Sequence, residues 1–557
     1  MKKIKNIIAF GLLTMMVAGC DDFLEVNSEQ EPTYETFYKT ADDCRAVTGA
    51  LYNGVWFDFN SSFLWELGDA RANNMYMDYA SYPAAIFNRF LETSATNHLS
   101  DGWNSLYNVL CQADHILNNI YRAIDNGVDE EVVNACKGEA RFMRGVAYWY
   151  LACLWGDVPI VEDPEALSED FVVNTNYRED VFQYAIKDLE YAAAYLPETD
   201  DAGRVTRYSA LGMLARLYIT AACYARGENF TDGRYETDPD YYYSKAAEAA
   251  LRVCQEGTQY SLLSDYEQLF RVQNNNNSES LFALQFVPGI TSYGVGNRLQ
   301  INLGYSAELQ GGLKAYGGAN YLSGELVELM VRRGELSRKR GTFFFNGAVY
   351  DYVGTSTDAG KWIVKDMTMC NVKKHVVGST KDTDGGAVGE NSGMATPMLR
   401  LAEVYLLYAE AVLGTKDKLT NTTTEGKLAL KYFNMVRERA RDKDAENENP
   451  ELANLEELVL SDIWTERRCE LAMEGQFWYD IVRRAFWDKN WVLDYLNNQK
   501  RGYRYKYDGT TFTWRAVDNR EANDATEDRL LLPYPLNEVT MNPLLREEPV
   551  HYDIVEE

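Results

Sequence analysis

Apolar residues recur at three- and four-residue spacings over much of the chain, the period of a helix with one buried face. Trp103, Leu106, Leu110, Ala113, Leu117 and Ile120 form such a stripe and predict a helix over 103–124. The same reading gives helices over 139–155, 181–196, 209–225, 241–254, 401–413, 427–441 and 456–486. Their ends carry the expected punctuation. Gly156-Asp157-Val158-Pro159 follows the second, Pro197 closes the third, and Gly414 stops the sixth. Helices of this length joined by short connections predict antiparallel pairs stacked as in tetratricopeptide arrays, here degenerate and without a fixed period.

The pattern lapses over 271–396. An Asn run at 274–277 and the pairs Gly311-Gly312, Gly317-Gly318 and Gly385-Gly386 mark turns there. Phe343 to Tyr352 carries aromatics without helical spacing, which fits a short strand. Residues 497–529 are also polar and loop-like, and Tyr503-Arg504-Tyr505-Lys506-Tyr507 alternates as a two-faced strand does. The expected fold class is therefore mostly α: a helical scaffold over 20–270, a loop-rich insertion over 271–396, and a helical and loop part over 397–557, all in one domain. Long loops on a rigid scaffold are where binding residues concentrate.

The N-terminus changes the picture. Lys2, Lys3 and Lys5 precede an apolar run from Ile7 to Val17, and Ala18-Gly19-Cys20 puts small residues before a cysteine. The run is shorter than the ~20 residues a membrane span needs. It predicts a cleaved signal over 1–19, with lipidation at Cys20 as in bacterial lipoproteins. Cleavage removes three lysines and no acids, so the net charge of −29 becomes −32. A surface this acidic repels phosphate backbones, so nucleic acid is not an expected partner. Of the nine cysteines, the eight beyond Cys20 include no CxxC pair and sit mostly in apolar helical patterns, as buried thiols do.

No HExxH, GxSxG, P-loop or Rossmann glycine pattern is present, and the four histidines are scattered. No catalytic residue, metal or cofactor is expected. Glu466, Glu470 and Glu474 recur every four residues, but a charged helix face pairing with its neighbours explains them better than acid–base chemistry. Arg467 with Glu470 and Asp480 with Arg484 stand at ion-pair spacing on the same helix. The unusual number is the 39 tyrosines, equal to the glycines; each has a ring for packing or stacking and a hydroxyl for hydrogen bonding.

Four segments occur in order: KGEARFMRGVAYWYLACLWGDVPIVED at 137–163, LRLAEVYLLYAEA at 399–411, ERRCELAMEGQFWYDIVRR at 466–484 and LLPYPLNEVTMNPLL at 531–545. With Cys20, and Asp21-Asp22 like an acidic surface-export signal, the chain resembles the SusD/RagB family of Bacteroidetes surface lipoproteins. It departs from the family's pattern at Phe477, where relatives carry a basic residue. The resemblance implies a non-catalytic protein of the outer membrane. It would be held by lipid at Cys20 on the exterior, would bind oligosaccharide or polysaccharide, and would act as lid to a SusC-like TonB-dependent transporter. Peptide cargo is the alternative within the family, and a surface glycosidase the alternative outside it.

Sugar rings are held by flat aromatic faces with amide, acid and guanidinium groups at the rim. Two regions carry that combination. Residues 63–82 match the family's ligand-bordering element and hold Trp65, Asp69, Arg71, Asn73, Asn74, Tyr76 and Tyr79. Asp69 and Arg71 there read as a structural pair, leaving Trp65, Asn73, Asn74 and Tyr76 as the candidate contacts. In the insertion, Tyr293, Tyr305, Tyr316, Asn320 and Tyr321 stand among glycines that allow exposed, sharply turning backbone, with Trp362 as a further candidate.

Overall fold

The computed structural model describes residues 37–168, 171–289, 294–307, 309, 314–353, 362–378, 387–441, 449–517 and 522–554. The signal sequence, Cys20 and Tyr293 lie outside the described residues, as do the Gly311-Gly312 and Gly385-Gly386 turns; Trp362 is described in its backbone alone.

The helical scaffold is made of α1 (Leu99–Asn119), α2 (Glu130–Leu154), α3 (Arg178–Tyr195), α4 (Arg207–Arg226) and α5 (Pro239–Glu256), followed beyond the insertion by α6 (Leu401–Leu413) and α7 (Thr424–Ala440). Each packs on the next, and α6 packs on α5 although 144 residues separate them, so the stack resumes where the insertion left it. The stripe read from the sequence is the reason: Trp103, Leu106, Leu110, Ala113 and Ile120 are all buried in one core with Ala147, Leu151 and Leu154. Charged groups that cross this core are paired, as burial demands. Arg144 of α2 donates through Nε to Asp188 of α3 at 2.8 Å and through NH1 to Asp114 of α1 at 2.6 Å, tying three helices together.

The predicted helix over 456–486 is two: α8 (Leu460–Glu470) and α9 (Phe477–Ala485). Met473 and Gly475 between them adopt left-handed backbone, with φ of 65° and 71°, which no α-helix continues through. The bend lets Gly475 meet Gly68 so closely that a Cβ on Gly68 would lie 2.2 Å from the Gly475 carbonyl oxygen. The ion pairs differ accordingly. Arg467 bonds Asp480 and Glu403 rather than Glu470, and Asp480 is bridged by Arg483 rather than Arg484.

Glu466, Glu470 and Glu474 are buried, not on an exposed face. Glu466 accepts from Arg333, Arg338 and Arg437; Glu470 from Arg338, Arg400 and Arg439; Glu474 from Arg400 and Lys374. Burial alone would raise their pKa values. The surrounding guanidiniums outweigh it and hold all three carboxyls well below the usual range, Glu474 at about 2. These acids are permanently ionised struts.

The strands are short. β1 (Met75–Met77) pairs antiparallel with β3 (Asn320–Leu322), and β2 (Ser280–Leu284) with β6 (Thr396–Arg400), which closes the base of the insertion. A tight hairpin joins β4 (Ala387–Val388) to β5 (Asn391–Ser392), and β7 (Tyr503–Tyr507) pairs with β8 (Phe512–Val517), where the alternation of residues 503–507 predicted a strand. Val349–Tyr350, within the aromatic stretch read as strand, pairs with Trp362–Ile363 beyond it. A second core lies under the insertion, built from Met75, Leu322, Phe343, Phe344, Val372 and Tyr505. Among the described residues no helix is long and apolar enough to cross a membrane, and the cysteines are unbonded to one another.

Candidate functional site

The β1–β3 ladder gathers tyrosines from both ends of the sequence reading. Its register sets Tyr76 opposite Tyr321, with ring centroids 6.4 Å apart, and the Asp78 amide donates to the Ala319 carbonyl at 3.0 Å. After β1 the chain runs Asp78-Tyr79-Ala80-Ser81-Tyr82 before a short helix, Pro83–Asn88, begun by proline. That run has too few apolar residues to fold inward, and Tyr79 and Tyr82 remain 60% and 51% exposed with rings 5.7 Å apart. On the other side Tyr316, 55% exposed, leads through the Gly317–Ala319 turn into β3. Exposed tyrosines from residues 79–82 and 316 thus flank one strand pair.

Charged groups rim this edge. Arg504 of β7 donates Nε to the Tyr76 hydroxyl at 3.2 Å and pairs with Asp78. Glu390, in the β4–β5 turn after the left-handed Gly389, accepts the Tyr316 hydroxyl at 2.9 Å and Lys314 Nζ at 2.8 Å through one oxygen, and Arg298 through the other. The Lys314 and Tyr316 hydrogen bonds hold its carboxyl below the usual range. Burial pushes the Tyr321 hydroxyl up, and Asp78 adds to the shift. Such an edge can receive a flat apolar ligand face on its rings and bind hydroxyls with its rim.

Several expected contacts are placed differently. Trp65, Asn73, Asn74, Tyr76 and Asn320 are buried and occupied by the protein itself. Trp65 Nε1 donates to the Ser61 carbonyl, and Asn74 sits between Asp69 and Arg468. Asn73 donates to Glu325, and Asn320 to the Asn302 carbonyl. All five face the core in this structure, with Asn320 Oδ1 buried and without a hydrogen-bond partner among the described residues. Tyr305 and Tyr321 are half-buried, Tyr305 with its ring 5.4 Å from Phe344. Asp69 and Arg71 are structural but do not pair. Asp69 accepts the Met473 and Gly475 amides at 2.9 and 2.7 Å, while Arg71 pairs with Glu92 and lies 4.6 Å from the Trp478 ring. Burial raises the Asp69 carboxyl to about 6.

Tyr79 and Tyr82 are exposed candidates that helical or strand spacing does not single out. Their signal is a pair of tyrosines among Ala, Ser and Asp just before a proline. Among the described residues, Asp180, Asp232 and His551 alone lie close enough to share a metal ion. Arg234 is already there, 2.6 Å from Asp232 and 3.6 Å from Asp180, so a side chain offsets part of the cluster's charge.

Relatives agree with this architecture. The family model described as the SusD family matches residues 278–551, and one described as starch-binding associating with outer membrane matches 22–219. A SusD-like protein of Bacteroides ovatus is 35% identical over 98% of both chains. The chain belongs to the SusD family. A second relative, SusD-like protein P25 of Formosa agariphila, is 25% identical over 98% of both chains. A crystal structure solved with xylogluco-oligosaccharide superposes with a TM-score of 0.80 at 33% identity, covering 92% of this chain and all of that one. The mostly α reading and the family resemblance are both borne out.

Proposed function

We propose that this SusD-family chain is a non-catalytic glycan-binding lipoprotein of the outer-membrane exterior. Lipid at Cys20 anchors it, and it hands oligosaccharides to a SusC-like TonB-dependent transporter. The exposed tyrosines Tyr79, Tyr82 and Tyr316 beside β1–β3 carry this reading: solvent-facing rings gathered with hydrogen-bonding groups at their rim suit the flat face and hydroxyl fringe of a sugar. Tyr321, Tyr305 and Tyr293 complete the candidate contacts. The similar structure solved with xylogluco-oligosaccharide supports a carbohydrate as cargo. Glu466, Glu470 and Glu474, the acids at regular spacing, are held ionised by buried arginines, which supports a structural rather than acid–base role for them.

The test is affinity electrophoresis of the chain from Asp21 onward through gels containing plant, algal and host polysaccharides. Retardation by at least one, lost in a Tyr79→Ala/Tyr316→Ala double variant, is the expected result. Migration unaffected by every polysaccharide would overturn the reading. Release of new reducing ends from a retained glycan would instead make the protein a glycosidase. Co-purification of a transporter with the lipidated protein tests the partnership.

A further inference from the structure

The exposed edge has an excess of cations that the molecule as a whole does not. The chain carries a net charge of −29, yet among the described residues three cations, Arg298, Lys314 and Arg504, and two acids, Asp78 and Glu390, rim the tyrosines. Arg504 is matched by Asp78. Arg298 and Lys314 share Glu390 alone among the described residues, and one carboxylate neutralises one of them. Both stay open to solvent, at 33% and 61% exposure, with one contact each to Glu390 against the five N–H groups of a guanidinium and three of an ammonium. Charges elsewhere on the surface are screened beyond ~8–10 Å at physiological salt, so the local excess decides what a ligand meets.

Tyr316 is part of the same arrangement. Its hydroxyl is fixed on Glu390, so its ring is held beside the two cations. A sugar stacked on that ring would bring an equatorial substituent among the unused N–H groups. A hydroxyl uses few of them and leaves the excess charge unmatched; a carboxylate or sulfate uses several and matches it.

We propose that the Tyr316 end of the edge is a subsite for an acidic sugar unit, with Lys314 and Arg298 as its specificity-determining residues and Glu390 as the residue that positions Tyr316 and tempers the charge. The proposal rests on the glycan-binding reading above and names the class of glycan. Because Glu390 competes with an incoming anion while Lys314 attracts it, their substitutions move affinity for an acidic glycan in opposite directions. A merely structural triad would weaken binding whichever member was changed.

The experiment compares matched polymers in affinity gels: pectic galacturonan with its methyl-esterified form, and carboxymethylcellulose with hydroxyethylcellulose. The wild-type chain is expected to be retarded more by the acidic member, with the difference shrinking in high salt. Lys314→Ala should cut the acidic affinity about fivefold, the upper range for an exposed charge contact. Glu390→Gln, which still accepts the Tyr316 hydroxyl, should raise it. Equal or stronger retardation by the neutral members, or the two variants shifting acidic affinity in the same direction, would overturn the proposal. Retardation by none of the four also overturns it, and the polysaccharide panel above then separates the cases: retention of a neutral glycan there leaves the glycan-binding reading standing, and retention of nothing removes both.

Discussion

Replacing Glu470 with glutamine removes one charge from the most densely paired part of the core. The carboxylate accepts from Arg338 Nε at 2.8 Å and Arg400 NH1 at 3.0 Å, and also from Arg439, all buried. Around it Arg333, Arg338, Arg400, Arg437, Arg439 and Lys374 face Glu279, Glu335, Glu466, Glu470 and Glu474, six cations against five acids. The substitution keeps the shape and some acceptor capacity but doubles the excess positive charge. Breaking a buried pair costs about 3–5 kcal/mol because the partner is left uncompensated. With an unfolding entropy of ~2.1 cal/mol/K per residue, that lowers Tm by about 2.5–4 °C in a chain of this size. The assay is a thermal scan by circular dichroism, with Glu457→Gln as control. Glu457 pairs with Lys418 where both side chains are more than half exposed, and such pairs contribute about 0–1 kcal/mol. The depressed pKa values add a sign. Ionised Glu470 and Glu474 stabilise the fold above the ordinary carboxyl range, and that stability falls away as pH drops toward about 2. The wild type should therefore lose Tm on acidification below pH ~4 more steeply than Glu470→Gln. A Tm within 1 °C of wild type, or an unchanged acid slope, would refute the reasoning.

Three further outcomes are expected. Tyr79→Ala and Tyr316→Ala should each weaken binding to a retained glycan about tenfold while leaving Tm unchanged, since truncating an exposed stacking ring removes ligand contact and no core; isothermal titration and a thermal scan read the two quantities. Gly68→Ala should cost roughly 1–3 kcal/mol or more and lower soluble yield, because its Cβ meets the Gly475 backbone rather than a movable side chain. His375, pushed down to about 4 by burial and by Lys374, stays neutral in the fold while the unfolded chain binds its proton below ~6.5. The unfolded state then holds more protons between those values, so stability rises with pH across that window; His375→Gln should flatten the rise in urea titrations at pH 5 and 7.

The helical stack was legible because its information is local: a stripe every three or four residues and a Gly or Pro at the end state where a helix runs and which face it hides. The bend after Glu470 was not, because Cys469, Met473 and Phe477 continue the apolar spacing across it, while the close approach of Gly475 to Gly68 is a long-range contact. At the candidate site, Tyr316 stood out through its flanking glycines. Tyr76 misled because β1 is buried on both faces, so alternation does not assign an outward side. Asn73 and Asn74 misled because Glu325, Asp69 and Arg468, which occupy them, are near in space and mostly distant in sequence. Amide side chains at a turn look the same whether a ligand or the protein's own core satisfies them.

The pairing of Met75–Met77 with Asn320–Leu322 also has a bearing on when the protein becomes competent. Tyr79 and Tyr316 stand 237 positions apart, and the pairing of β1 with β3 brings their segments together. A newly exported chain with its helices stacked but this closure unmade would hold two half-sites, each too small to retain a polymer. A glycan bridging both sides would act as a clasp that lowers the population of the opened form.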